Sequence, residues 1–293
     1  MISDIKKESF CYAKTPISLY GTLYKNEAVD TCGVLLYFHG GGLVYGNRDD
    51  LPNSHIESMC KSGYIIISFD YRLAPASKLP NILEDFNTAV NWYLKNRTIL
   101  LGKPYKYFLW GRSAGAYLCL LSGFTNYKEA PVGIVSYYGY TFLINHWFNT
   151  PNKHYLRFPT VSYDLVSSLA DEICTSASLE TRYSLYVHAR QTGRWLPLFF
   201  EGKEKNFFSP YSFRLKRDFA NFPSTFLVHG FNDPDVPFEE SKELSKLLPR
   251  TTTFFVPAND HDFDRDEEST ITKSLLESTI SFLDLSLKKD TCN

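Results

Sequence analysis

Gly111-Arg112-Ser113-Ala114-Gly115 stands between residues 105–110, an apolar run short enough for a buried strand, and residues 116–122, which read as the start of a helix. Strand, tight turn with a serine at its apex, then helix is the setting that makes G-x-S-x-G a nucleophile elbow. Bulk two positions either side of the serine would collide with neighbouring backbone, and glycine removes it. The hydroxyl then stands clear of the sheet, and the Ala114 amide points where an oxyanion would form. A serine between spaced glycines also occurs in ordinary turns, so the rest of the chain has to carry the reading.

Upstream, 17–24 alternates apolar and polar residues like a half-exposed antiparallel strand, and 34–38 is continuously apolar like a strand buried on both faces. The second run ends at His39-Gly40-Gly41-Gly42. Three successive glycines directly after a buried strand suit close approach of backbone amides to a ligand, the second half of an oxyanion hole. Residues 1–10 read as polar and loosely held. A helix at 51–62, a strand at 64–69 and an amphipathic helix at 81–96 follow.

Downstream, 132–138 is another strand. Residues 140–222 break the rhythm. They are rich in aromatics (Trp147, Phe148, Tyr155, Phe158, Trp195, Phe199, Phe200, Phe207 and Phe208), with helices expected at 163–177 and 179–191. This stretch reads both as a helical layer with its own core and as a lid walling a pocket. Strands at 224–228 and 251–256 and helices at 238–248 and 269–287 close the chain. Alternating strands and helices argue a mostly parallel sheet covered on both faces.

The bulk numbers narrow the field. The chain has 293 residues, 44% hydrophobic and 22% charged, with a formal net charge of −1, so nothing in its charge favours nucleic acid or an anionic membrane. Six cysteines (Cys11, Cys32, Cys60, Cys119, Cys174, Cys292) lack C-x-x-C spacing and form neither a zinc motif nor a disulfide framework. No secretory signal or membrane span is legible. Free thiols in a reducing cytoplasm are expected.

A serine hydroxyl needs a base within reach, and that base needs an orienting carboxylate. In such sheets the functional groups gather beyond the carboxyl ends of the strands. Ser113, Asp233 and His261 each follow an expected strand, in the order Ser…Asp…His. His261 would take the serine proton and deliver it to the leaving group, Asp233 would hold the tautomer, and the amides of Gly41, Gly42 and Ala114 would bind the oxyanion. Asp235 is the second choice of acid. Asp260 adjoins the histidine and could not easily turn back to it. His39 and His229 precede glycine turns and read as structural. His55 lies in a helix, and His146, His154 and His188 fall in the insertion.

These residues resemble the hormone-sensitive-lipase-like esterases of the α/β-hydrolase superfamily. The resemblance is carried by His39-Gly40-Gly41-Gly42, by Asp70-Tyr71-Arg72-Leu73-Ala74-Pro75 with Glu84-Asp85 after it, by Gly111 to Gly115, by Asp233-Pro234, and by His261 with Phe263. It covers roughly 34–138 and 224–283. It implies an α/β-hydrolase fold: a mostly parallel central sheet with helices on both faces and a helical lid inserted after the sixth core strand. The core would be 1–139 and 223–293, and the lid 140–222. It also implies carboxylic-ester hydrolysis through an acyl-enzyme, without metal or cofactor. The expected partner is a small ester, and a homo-oligomer is left open. The family usually has Asp before the serine and a second glycine after the pentapeptide, where this chain has Arg112 and Ala116. Acyl-peptide hydrolysis on the same triad, or a receptor built on the same fold, are the competing readings.

Overall fold

The computed structural model describes residues 4–144, 146–169 and 172–290; Cys292 and residues 1–3 lie outside them. The strands are β1 (Ile5–Lys14), β2 (Ser18–Asn26), β3 (Gly33–Phe38), β4 (Tyr64–Phe69), β5 (Tyr107–Arg112), β6 (Gly133–Tyr137), β7 (Ser224–Gly230) and β8 (Thr251–Val256). They form one sheet in the order β1-β2-β4-β3-β5-β6-β7-β8. From β4 to β8 every neighbouring pair is parallel, and β2 joins β4 antiparallel.

The helices are α1 (Asn53–Lys61), α2 (Leu79–Leu101), α3 (Ala114–Ser122), α4 (Tyr163–Val166), α5 (Leu179–Thr192), α6 (Leu196–Phe199), α7 (Lys205–Tyr211), α8 (Glu239–Leu247) and α9 (Thr270–Asp290). Successive side chains of a strand point to opposite faces. Val34, Leu36 and Phe38 therefore pack with α2 and α3, while Leu35 and Tyr37 pack in the cluster that holds Met59 of α1 and Leu275 of α9. Every residue of β3, β4, β5 and β6 is buried, which is why their sequences are continuously apolar rather than alternating. The fold is that of the α/β hydrolases.

Several elements differ from the sequence reading. Residues 5–14 are not loose. They form β1, an edge strand in antiparallel register with β2, from Ile5 opposite Asn26 to Lys14 opposite Ser18. Its Lys6, Lys7 and Glu8 are exposed, as suits a sheet edge, and that charge concealed the strand. Counting β1, Gly133–Tyr137 is the sixth strand, and 140–222 runs between it and β7. The helix expected at 163–177 stops early: α4 passes into a 3₁₀ turn at Ser167–Leu169, and Ala177 forms an isolated bridge with Gly46. Two short helices, α6 and α7, went unread; α7 carries Pro210 inside it. The strand before the serine runs two residues further than its apolar run, because Gly111 and Arg112 pair with Ser136 and Tyr137 of β6.

Candidate active site

Parallel strands bring their carboxyl ends to one edge of the sheet, and the candidate residues collect there. Ser113 follows β5 with φ +50° and ψ −114°. That backbone is strained for a non-glycine residue and costs roughly 1–3 kcal/mol, held here by the buried elements on either side. Gly115 shows why the turn tolerates no side chain. A Cβ there would lie 2.0 Å from the Phe38 carbonyl oxygen. The elbow is thus pressed directly onto the end of β3.

The Ser113 hydroxyl donates to His261 Nε2 at 2.8 Å, and His261 Nδ1–H donates to Asp233 Oδ2 at 2.7 Å. Asp233 Oδ1 accepts the amides of Asp235 and Val236 at 2.8 and 2.9 Å. His229 Nε2 stands 3.1 Å from Asp233 Oδ2 and donates to the Val236 carbonyl, while Ser241 closes on its Nδ1 at 2.7 Å. His229 thus braces the acid, a structural role of the kind expected for it. Burial opposes ionisation of Asp233, but the charge of His261 and the hydrogen bonds from both histidines outweigh it and hold the carboxyl well below the usual range. Burial likewise disfavours the imidazolium of His261, yet Asp233, with Asp235 and Asp262, lifts it to about 9.

Asp235 does not reach the histidine. It takes the Tyr186 hydroxyl at 2.9 Å and faces Arg190. Asp260 is exposed. Of the three candidate acids, Asp233 makes the hydrogen bond to His261.

The glycine loop crosses in front of the serine. A Cβ on Gly40 would come within 3.4 Å of Ser113 Cβ, and Gly41, at φ +96°, has the Tyr45 carbonyl oxygen 2.0 Å from where a Cβ would be. Among the described residues no acceptor takes the amides of Gly41, Gly42 or Ala114, so three free donors flank Ser113. The Asp70–Pro75 motif braces this loop. Tyr71 stacks on His39 with ring centroids 4.3 Å apart and donates to the His39 carbonyl at 2.8 Å. The Ala74 amide donates to the Leu43 carbonyl at 2.7 Å. Arg72 is fixed in turn by Asp85, at 2.7 and 2.6 Å.

Over Ser113 lies a cleft of about 70 Å³. Tyr45, Leu179 and Tyr186 supply its apolar wall, and Asp50, Asp262 and Arg265 a charged rim. From 140–222 only Leu179 and Tyr186 line it among the described residues. Phe148, Trp195, Phe199 and Phe207 are buried within the main core instead. Most of the aromatic content of the insertion is therefore packing rather than pocket.

Sequence reasoning missed one group behind the serine. Arg112, Tyr138, His55 and Asp264 form a buried hydrogen-bonded cluster. The only sign of it was Arg112 standing where an acid is usual.

The sheet order and the glycine-flanked serine turn after β5 define an α/β hydrolase. The chain belongs to the BD-FAE family, whose model matches residues 22–248. It is similar to a solved protein of unknown function from Staphylococcus aureus Mu50 (TM-score 0.82, 27% identity, 96% of this chain and 99% of that one). It is also similar to an alpha/beta hydrolase superfamily protein from Enterococcus faecalis (TM-score 0.80, 27% identity, 95% and 98%). Over 98 residues it is 35% identical to a 3-O-acetylpapaveroxine carboxylesterase, CXE1, of Papaver somniferum, covering 28% of this chain and 30% of that protein. The chain spans between 8% and 30% of the length of eight curated relatives that it matches. No helix among the described residues is long and apolar enough to cross a membrane.

Proposed function

We propose that the chain is a serine carboxylesterase that hydrolyses small carboxylic esters, with short acyl or aryl groups, through an acyl-enzyme. Ser113 attacks the ester carbonyl, His261 accepts its proton and passes it to the departing alcohol, and Asp233 holds the imidazole and stabilises its charged form. The amides of Gly41, Gly42 and Ala114 take the oxyanion, where each donor is worth about 3–4 kcal/mol of barrier. Water then attacks the acyl-enzyme by the same steps, with His261 again as base. No metal or cofactor is part of the reading.

The observation that carries it is the unbroken hydrogen-bonded chain from Ser113 Oγ through His261 to Asp233, at 2.8 and 2.7 Å, from a strained elbow. The small cleft, about 70 Å³, supports a short acyl group. In this reading 1–139 and 223–293 are the hydrolase core and 140–222 is the lid, with Leu179 and Tyr186 over the substrate. A cytoplasmic setting is supported by the free thiols of Cys11, Cys32, Cys60, Cys119 and Cys174.

The test is a p-nitrophenyl ester series from acetate to laurate, wild type beside Ser113→Ala. Hydrolysis that is strongest for the short esters and lost in the variant is expected. A folded wild type inactive across the whole series would overturn the reading.

A further inference from the structure

We propose that Arg112 and Asp264 are positioning residues for His261. Their buried ion pair ties the turn after the histidine to the last residue of β5 and so sets the imidazole over Ser113. The proposal rests on the esterase reading of Ser113, Asp233 and His261.

The two residues are neighbours of the reacting groups in sequence, on opposite sides of the site. Arg112 immediately precedes Ser113, and Asp264 lies three residues beyond His261, inside the 3₁₀ turn Phe263–Arg265. Arg112 Nη2 donates to Asp264 Oδ1 at 2.9 Å. Tyr138 Oη donates to the same oxygen at 2.7 Å and accepts from Arg112 Nε at 2.6 Å, closing a ring of three side chains. His55 Nε2 fills the other oxygen at 2.8 Å. Asp264 and His55 have no exposed surface, Tyr138 has 1% and Arg112 2%. Arg112 and Asp264 hold each other charged: burial opposes both charges, and their mutual attraction overcomes it.

The ring also touches the histidine. Tyr138 meets the His261 imidazole edge to face, with centroids 4.7 Å apart. Its backbone is itself held at φ +40°, with its amide bonded to the Val228 carbonyl. The phenol is therefore pinned at both ends, by backbone at one and by Arg112 and Asp264 at the other. The histidine sits on a loop of irregular backbone whose other side-chain ties, Asn259 to Asn232, Arg265 to Asp50 and Glu267 to the Ser54 amide, lie at exposed positions. A fully bonded, desolvated carboxylate a few residues away replaces a regular element as its anchor. An acid in place of Arg112 would face Asp264 with like charge, so this chain's departure from the usual residue before the serine and its buried Asp264 belong together.

Asp264→Asn is the variant of choice, because Asp264 does not line the cleft while Arg112 does. Two readouts are taken on the full chain: ester kinetics, and the low-field proton resonance of His261 Nδ1–H bonded to Asp233, assigned by its loss in His261→Gln. With the fold intact by circular dichroism, kcat falls about 100-fold, as expected for a displaced catalytic group, KM stays within about threefold, and the resonance broadens or disappears. Parent-like kcat with an unchanged resonance would overturn the proposal, as would an effect confined to KM. Should Asp264→Asn not fold, the double variant Arg112→Met with Asp264→Leu decides, since it removes the ion pair and leaves neither charge buried without its partner. The same loss of kcat with a broadened resonance is expected, and parent-like kcat with an unchanged resonance overturns the proposal. If the wild type hydrolyses no ester, the esterase reading fails on its own, and the resonance still reports whether the cluster positions His261.

Discussion

The carboxylate of Asp235 lies 3.2 Å from Arg190 Nε, an ion pair without the alignment of a hydrogen bond, two residues along the chain from the acid that holds His261. Arg190 is completely buried. Its guanidinium lies over Trp147 at 5.1 Å and Trp195 at 5.2 Å, and Nη2 donates to the Asp235 carbonyl at 2.9 Å. Helix α5 of the insertion thus grips the loop that carries Asp233. The two neighbouring acids should therefore respond differently to the same substitution. Asp233→Asn is expected to lower kcat by about 10⁴-fold, because the imidazole loses its orienting partner. Asp235→Asn acts mainly on stability, by about 3–5 kcal/mol, because a buried guanidinium loses its counter-charge. Ester kinetics beside urea unfolding of both variants separates the two roles.

The pH dependence follows from His261. In the proposed mechanism the base must be neutral to take the serine proton, and Asp233, Asp235 and Asp262 lift its imidazolium to about 9. The rate kcat/KM should rise with pH along a limb displaced to the alkaline side of the ordinary histidine value of about 6.5. Asp233, held well below the usual carboxylate range, stays ionised across that limb. The sign for stability is the reverse. A raised imidazole contributes stability that is complete below about pH 6.5 and is lost as pH rises through about 9. A pH–rate profile and a melting series over pH 5–10, roughly the span in which histidine titrates, measure both. A limb at or below the ordinary value would contradict the electrostatic account.

Gly42 should tolerate no side chain. A Cβ would fall 2.3 Å from the Tyr186 ring, which is buried and bonded to Asp235, and the residue has φ +59°. Gly42→Ala is expected to displace one of the proposed oxyanion amides and lower kcat about 100- to 1,000-fold. Its effect on KM should be much smaller. Steady-state kinetics on a short p-nitrophenyl ester gives the answer.

Glu240 anchors the start of the insertion. Its buried carboxylate accepts the amides of Thr141, Leu143 and Ile144 at 2.8, 3.2 and 2.9 Å and the Trp147 indole at 3.0 Å. Glu240→Ala leaves these donors unpaired inside the protein and is expected to cost more than about 3 kcal/mol. The chemical denaturation midpoint would report it. A loss under about 1 kcal/mol would mean that water replaces the carboxylate without penalty.

Residue types at fixed spacing were enough to mark the elbow, the glycine loop, the order Ser113, Asp233, His261, and a parallel sheet. Each of these is local. A serine turn needs small residues beside it, and strands covered on both faces must be apolar along their whole length. The same logic failed where a partner far along the chain set the conformation. Strand β1 opens on the charged run Lys6-Lys7-Glu8 and exists because β2 offers it a register. The helix expected at 163–177 gives way after Val166, and Ala177 at its far end pairs with Gly46 instead.

The sequence by itself thus determined which side chains reach the carboxyl edge of the sheet, since chain order and strand direction dictate that much. The sequence preferred Asp233 to Asp235 as the acid, and only the tertiary structure decided that Asp235 belongs to Arg190 and that Arg112 meets Asp264. Those choices turn on polar contacts of about 3 Å between residues distant in the chain. Burial makes an unpaired charge too costly to leave, and no local pattern records who its partner will be.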